Sequence, residues 1–147
     1  MEQFQQVEIL LVEDNPLDAE LTRRALTKSG VVNKLLRLED GQQALDYLFR
    51  QGAYQEREDT FPRLILLDLK MPRVDGLEVL RAIRGNKRTQ SLPVVIMTSS
   101  EEERDITESY DLGINGYVVK PVEFGAFAEV VRQVGFYWLA INRAPSH

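Results

Sequence analysis

Cysteine is absent from all 147 residues of this chain, which excludes disulfides and thiolate metal centres and suits a reducing cytosol. Histidine is almost absent: the one copy, His147, is the last residue, expected in solvent and no use as an internal catalytic group. A surplus of positive charge is also lacking. With a net charge of -5 there is no basic stripe to neutralise phosphates, which argues against a nucleic-acid-binding surface. The nearest approach, RGNKR at 84–88, is short, contains Gly and Asn, and reads as a solvated loop. No run approaches the roughly 20 apolar residues of a membrane span, and the opening MEQFQQVE has neither the basic start nor the apolar stretch of a signal peptide. Neither GxGxxG nor a P-loop occurs, which disfavours a nucleotide enzyme. Internal repeats beyond a strand-helix alternation and low-complexity segments are missing too.

What is present fits one ordinary soluble unit. A chain of 147 residues, 44% hydrophobic and 28% charged, suits one domain around one core. The expectation is a single cytoplasmic domain over 1–147, with its core at about 8–142 and a short tail at 143–147.

Four apolar runs each end in, or lead at once into, a residue suited to phosphoryl chemistry. ILLV at 9–12 leads into Glu13 and Asp14, LILLD at 64–68 ends in Asp68, VVIMT at 94–98 ends in Thr98, and YVVK at 117–120 ends in Lys120. Short, continuously apolar runs read as strands buried on both faces, the mark of a parallel sheet. A weaker strand, KLLRL, is expected at 34–38. Helix signals fall between the strands. Asn15 caps a first helix with Pro16 at its first position, and Ala19, Leu21, Ala25 and Leu26 supply the apolar face. Asp40 with Gln43, Asp75 with Glu78 and Ser100 with Glu103 have the spacing of a capping box or an approximation to it. A last helix is expected from about Glu123 towards Asn142. The alternation predicts an α/β fold: a doubly wound five-stranded parallel sheet in the flavodoxin-like order 2-1-3-4-5, with helices on both faces. Residues 51–62 (QGAYQEREDTFP) fall outside that skeleton as a long polar loop, either a tolerated insertion or a contact surface for a partner.

In a parallel sheet the C-terminal strand ends line one edge, so Glu13, Asp14, Asp68, Thr98 and Lys120 are expected to share one crevice. Three neighbouring carboxylates repel unless a cation lies between them. Magnesium suits the place, because it takes one or two carboxylates, keeps several waters and leaves room for phosphate oxygens. Glu13 and Asp14 taken alone would do no more than cap a helix, but that reading leaves Asp68 at the end of an apolar strand unexplained. Asp68 is therefore the candidate nucleophile, able to attack phosphorus and form an acyl phosphate, with Lys120 and Thr98 available to its oxygens.

These residues resemble a family. LLVEDNPLD, LLDLKMPRVDG, VVIMTSS and NGYVVKP, with Thr98 placed 30 positions after Asp68 and Lys120 placed 22 positions after Thr98, are similar to the receiver domains of two-component response regulators over nearly the whole chain. The resemblance implies that Asp68 is the phosphoacceptor, and that Asp14, Asp68 and the Lys70 backbone carbonyl bind Mg2+ directly. It implies that Glu13 acts through a metal-bound water, that Thr98 and Tyr117 form the switch pair, and that the peptide between Lys120 and Pro121 is cis. It also implies that Lys70 and Ser100 flank the path of the hydrolytic water. The phosphoryl group would come from a histidine kinase, and the response surface would comprise the fourth helix, fifth strand and fifth helix. Such a protein is not a turnover enzyme, although it promotes its own phosphorylation and dephosphorylation. The loop at 51–62, the lack of an effector domain and the apolar last helix resemble the single-domain regulators that partner cyanobacterial phytochrome kinases.

Rival readings fare less well. A haloacid-dehalogenase-type phosphatase needs a second aspartate where this chain has Lys70, and a flavodoxin-like electron carrier needs a Ser/Thr/Gly-rich phosphate loop where this chain has EDNPLD. A phosphorylation-independent pseudo-receiver, a protein-binding module, remains the alternative; it would usually have lost a site residue, and none is lost. The last helix adds one expectation. Phe127, Val131, Val134 and Trp138 fall on one stripe, while Phe136 and Leu139 point elsewhere. An apolar second face suggests a symmetric homodimer with Phe136 and Leu139 at the interface, alongside the kinase and an unidentified downstream protein as partners.

Overall fold

The computed structural model describes residues 7–28, 34–98 and 108–119. Its strands are β1 (Ile9–Val12), β2 (Leu35–Leu38), β3 (Leu64–Leu67), β4 (Val94–Thr98) and β5 (Gly116–Val119). The helices are α1 (Pro16–Lys28), α2 (Gly41–Leu48) and α3 (Gly76–Arg84). All strand pairs are parallel, in the order β2-β1-β3-β4-β5, as the sequence predicts. Lys120, Pro121, Ser100, Glu103, His147 and the expected helix at 123–142, with Phe136 and Leu139, lie outside the described residues.

Strand alternation divides the core in two. Leu10, Val12, Ile65, Leu67, Val94 and Ile96 pack with α2 and α3 residues on one face, through Ala44, Leu48, Val79, Leu80 and Ile83. On the opposite face Ile9, Leu11, Leu64, Leu66, Val95 and Met97 pack against Ala19 and Leu26 of α1. Helices thus cover both faces, which is why the strands read as unbroken apolar runs instead of alternating ones. Every side chain of β1 and β3 is fully buried.

Local caps set the helix starts. Asn15 Oδ1 accepts the Asp18 N–H at 3.0 Å at the head of α1. Asp75 and Glu78 form a complete capping box on α3. At α2, Asp40 Oδ1 accepts the Gln43 N–H at 2.9 Å, but Gln43 Oε1 reaches back to the N–H of Glu39, one residue beyond the box position.

Two expectations need correction. The buried stripe of α1 is Ala19, Thr22 and Leu26, whereas Leu21 is 45% exposed. Thr22 tolerates burial because its hydroxyl donates to the Asp18 carbonyl at 2.9 Å. RGNKR is not simply solvated either. Arg84 is half-buried and donates to the carbonyls of Gln90, Leu92, Leu112 and Gly113 at 2.6–3.2 Å, tying α3, the loop before β4 and the turn before β5 together.

The loop at 51–62 is organised as well. It includes a 3-10 turn over Gly52–Tyr54, and Arg57 turns inward to donate to the carbonyls of Tyr47 (2.6 Å), Glu58 (2.7 Å) and Thr60 (2.8 Å). Its guanidinium also lies 4.0 Å from the centre of the Tyr47 ring, which meets Tyr54 edge-on. Burial pushes the Tyr47 phenol pKa up, with Arg57 opposing it, and burial likewise lowers that of Arg57.

Candidate functional site

The parallel ladders run one residue past the strands. Glu13 N–H donates to Leu38 O at 3.0 Å and Asp68 N–H to Val12 O at 3.0 Å, so Glu13 and Asp68 stand side by side where β1 and β3 end. One carboxylate oxygen from each of Glu13, Asp14 and Asp68 lies within 4.8 Å of the others. Glu13 and Asp68 are buried, while Asp14 opens to solvent. Such closeness of like charges is unfavourable without a counter-ion.

Each loop is held by its own backbone. Beyond β1, Asn15 N–H donates to Glu13 Oε2 at 3.1 Å while Asn15 caps α1, so the turn that starts the helix also fixes the glutamate. Beyond β3, Lys70 N–H donates to Asp68 Oδ1 at 3.2 Å, setting the rotation of the carboxylate. The loop then returns so tightly that a Cβ on Gly76 would lie 2.6 Å from Leu69 Cα and collide with the Asp68 carbonyl. Gly76 has to be glycine for that reason, with its N–H bonded to Leu69 O at 2.9 Å.

The loop between β3 and α3 leans on the start of α2. Arg73, in the left-handed region at φ 68°, pairs with Asp40 Oδ1 at 3.1 Å, and a Cβ on Gly41 would lie 2.7 Å from the Val74 carbonyl carbon. From the other side, Arg37 in β2 donates through Nε to Glu13 O at 3.0 Å and through Nη2 to Asp14 O at 3.2 Å. None of these contacts was expected from the sequence. The one available signal was Arg37 itself, the only polar residue in β2.

The acids expected in one crevice are brought together there, with Lys70 next to them. Thr98 ends β4 in register with Val119, while Tyr117 is in register with Ile96 and packs, half-buried, against the α2 and α3 face of the core. Chemically, a cluster of hard carboxylate oxygens with one member open to water fits a divalent cation. Oxygens bound directly to Mg2+ are at most about 4.2 Å apart, given bonds near 2.1 Å. Three carboxylate oxygens within 4.8 Å of one another are close enough to serve one such ion.

Comparison with known proteins agrees with this geometry. The chain is 40% identical over 138 residues to the probable methanogenesis regulatory protein FilR2 of Methanothrix harundinacea, covering 93% of this chain and 86% of that one. It is 37% identical over 138 residues to the response regulator Rcp1 of Synechocystis sp., covering 94% and 92%. The structure of the Mn(2+)-bound form of Rcp1 superposes with a TM-score of 0.78 at 37% identity, over 91% of this chain and 95% of that one. The bacteriophytochrome response regulator RtBRR gives a TM-score of 0.80 at 48% identity, over 96% and 86%. The model of the response regulator receiver domain matches residues 9–132, and with the order of the sheet and the acids at its edge this makes the chain a member of that family, a receiver domain of two-component signalling.

Proposed function

We propose that this receiver is a cytoplasmic, phytochrome-linked response regulator that takes a phosphoryl group onto Asp68 from a histidine kinase. The observation that carries the reading is the carboxylate cluster, three acids within 4.8 Å, with Asp68 buried at the end of an apolar strand. An Asp68 carboxylate oxygen attacks the phosphorus of a phosphohistidine. The new P–O bond forms as the P–N bond breaks, and the imidazole departs with the bonding electrons. Asp14, Asp68 and the Lys70 carbonyl would hold Mg2+ directly, and Glu13 through water. Bound there, the ion supplies neutralisation of the charge on the phosphoryl oxygens.

The chain's own groups do the positioning. Lys70 N–H orients the Asp68 carboxylate, and Asn15 N–H orients that of Glu13. By family resemblance Lys120 and the Thr98 hydroxyl contact the phosphoryl oxygens, and Thr98 is coupled to Tyr117, so that phosphorylation biases a two-state surface. The kinship with the bacteriophytochrome response regulator RtBRR supports a phytochrome-type kinase as donor, and the apolar sequence around Phe136 and Leu139 supports a homodimer through those two residues. The output is a change of protein contacts, with no turnover chemistry and no nucleic-acid or membrane partner. Among the described residues no helix is long and apolar enough to cross a membrane.

Radiolabelled acetyl phosphate with Mg2+ should label the wild type and leave Asp68→Asn unlabelled; full labelling of the variant removes Asp68 from the reaction. In analytical ultracentrifugation Phe136→Glu should shift the wild-type dimer towards monomer. A wild type that stays monomeric with and without beryllofluoride contradicts the dimer.

A further inference from the structure

β2 lies at the edge of the sheet and reads LLRL. Alternation from Leu35, which packs on the α1 face, puts Arg37 on that same face, where an apolar residue would continue the pattern. The arginine reaches instead across to the loop after β1, 24 residues earlier in the chain, and binds two successive carbonyls, Glu13 O at 3.0 Å and Asp14 O at 3.2 Å. A guanidinium is a planar, rigid fork. Holding two consecutive carbonyls fixes two peptide planes, and with them the directions in which the Glu13 and Asp14 side chains leave the backbone.

We infer that Arg37 is a positioning residue for the divalent cation, presenting the acidic pair in a binding-ready arrangement through the geometry of its fork. This rests on the reading of the carboxylate cluster as a metal site. Two physical effects oppose each other. As a nearby cation, Arg37 offsets the repulsion among the acids and competes with a metal ion, so its removal would tighten binding. As a fork it holds the ligand geometry, so its removal would loosen binding. Both contacts go to carbonyl oxygens, where the fork acts on the backbone path, and partners that orient metal ligands are typically worth 10- to 100-fold in metal affinity. Positioning is therefore the larger effect.

The two roles separate on replacement. Arg37→Lys keeps the charge and loses the fork, whereas Arg37→Met loses both. Mn2+ binding, followed by calorimetry and by the EPR signal of free Mn2+, should weaken roughly tenfold or more in both variants. In the metal-free protein, hydrogen exchange of the Asn15 and Asp18 amides should speed up in both. Arg37→Gln, which can still reach one carbonyl, replaces the methionine variant if that does not fold. Wild-type affinity in Arg37→Lys, or tighter binding in Arg37→Met, overturns the inference and leaves a charge role. If wild type itself shows no saturable Mn2+ binding, or Asp14→Asn binds as wild type does, it is the reading of the cluster as a metal site that fails, and this inference with it.

Discussion

At the C-terminal edge of the sheet three acids crowd within 4.8 Å of one another. At the opposite edge Arg84 and Arg57 reach into loops and collect carbonyl oxygens at 2.6–3.2 Å, and Arg88 pairs with Asp59 between two of those loops. The same strands frame both edges, yet their polar groups serve opposite ends. The guanidiniums give several loop carbonyls at once a charged donor, and so they fasten the chain. The carboxylates accumulate repulsion that folding alone does not require. One edge spends stability so that the site is ready for a ligand, while the other restores it.

Four measurements test that contrast. The largest loss of stability is expected from Arg84→Met, which strips four carbonyls of a charged donor and should lower the unfolding free energy by about 2–4 kcal/mol. Urea denaturation reads it, and a loss below about 1 kcal/mol would mean that water replaces the arginine. Next comes Mg2+. At a concentration near a hundred times its dissociation constant it should stabilise the wild type by about 2.7 kcal/mol, seen as a rise in melting temperature, and Asp14→Asn should lose that rise. Without metal, Asp14→Asn should melt no lower than wild type, because it relieves repulsion; a clear drop would place the acids among the fastening groups.

Arg57→Met comes third, at about 1–3 kcal/mol, with faster exchange of the amides around 51–62 and unchanged Mg2+ affinity. The smallest effect is expected at Asp59. Its hydrogen bond to Arg88 holds its carboxyl below the ordinary range, so whatever the pair contributes is present above the unfolded pKa and lost as pH falls through the lowered folded value. Both side chains are about half exposed, and solvent screens such pairs. Asp59→Asn should therefore match wild type in urea at neutral pH, and the two acid-denaturation curves should nearly coincide.

The strands and caps were legible in the sequence because their signals are local. Apolar runs of four or five residues fix a buried strand, and Asn15, Asp40 and Asp75 each act on an amide three residues away. The acidic crevice followed from topology, since parallel strands must align their ends. The arginine contacts were hidden for a physical reason: every residue carries a carbonyl, so nothing in the sequence marks which ones Arg37, Arg57 and Arg84 will reach. Leu21 misled by composition. The rotation of α1 is set by Ala19 and Leu26, and a threonine able to bond its own helix fills the position between them.

The organised loop at 51–62 also bears on how the chain assembles. β1 lies inside the sheet between β2 and β3, and its partner Leu64 in β3 stands 55 residues after Ile9, so this pairing cannot form by neighbouring segments zipping together. Chain-closure entropy grows only with the logarithm of the separation, so the twelve residues of the loop add just ~0.2 kcal/mol to that closure. The search for the β1–β3 pairing is thus barely slowed by the loop, which is free to settle around Arg57 after the sheet has closed.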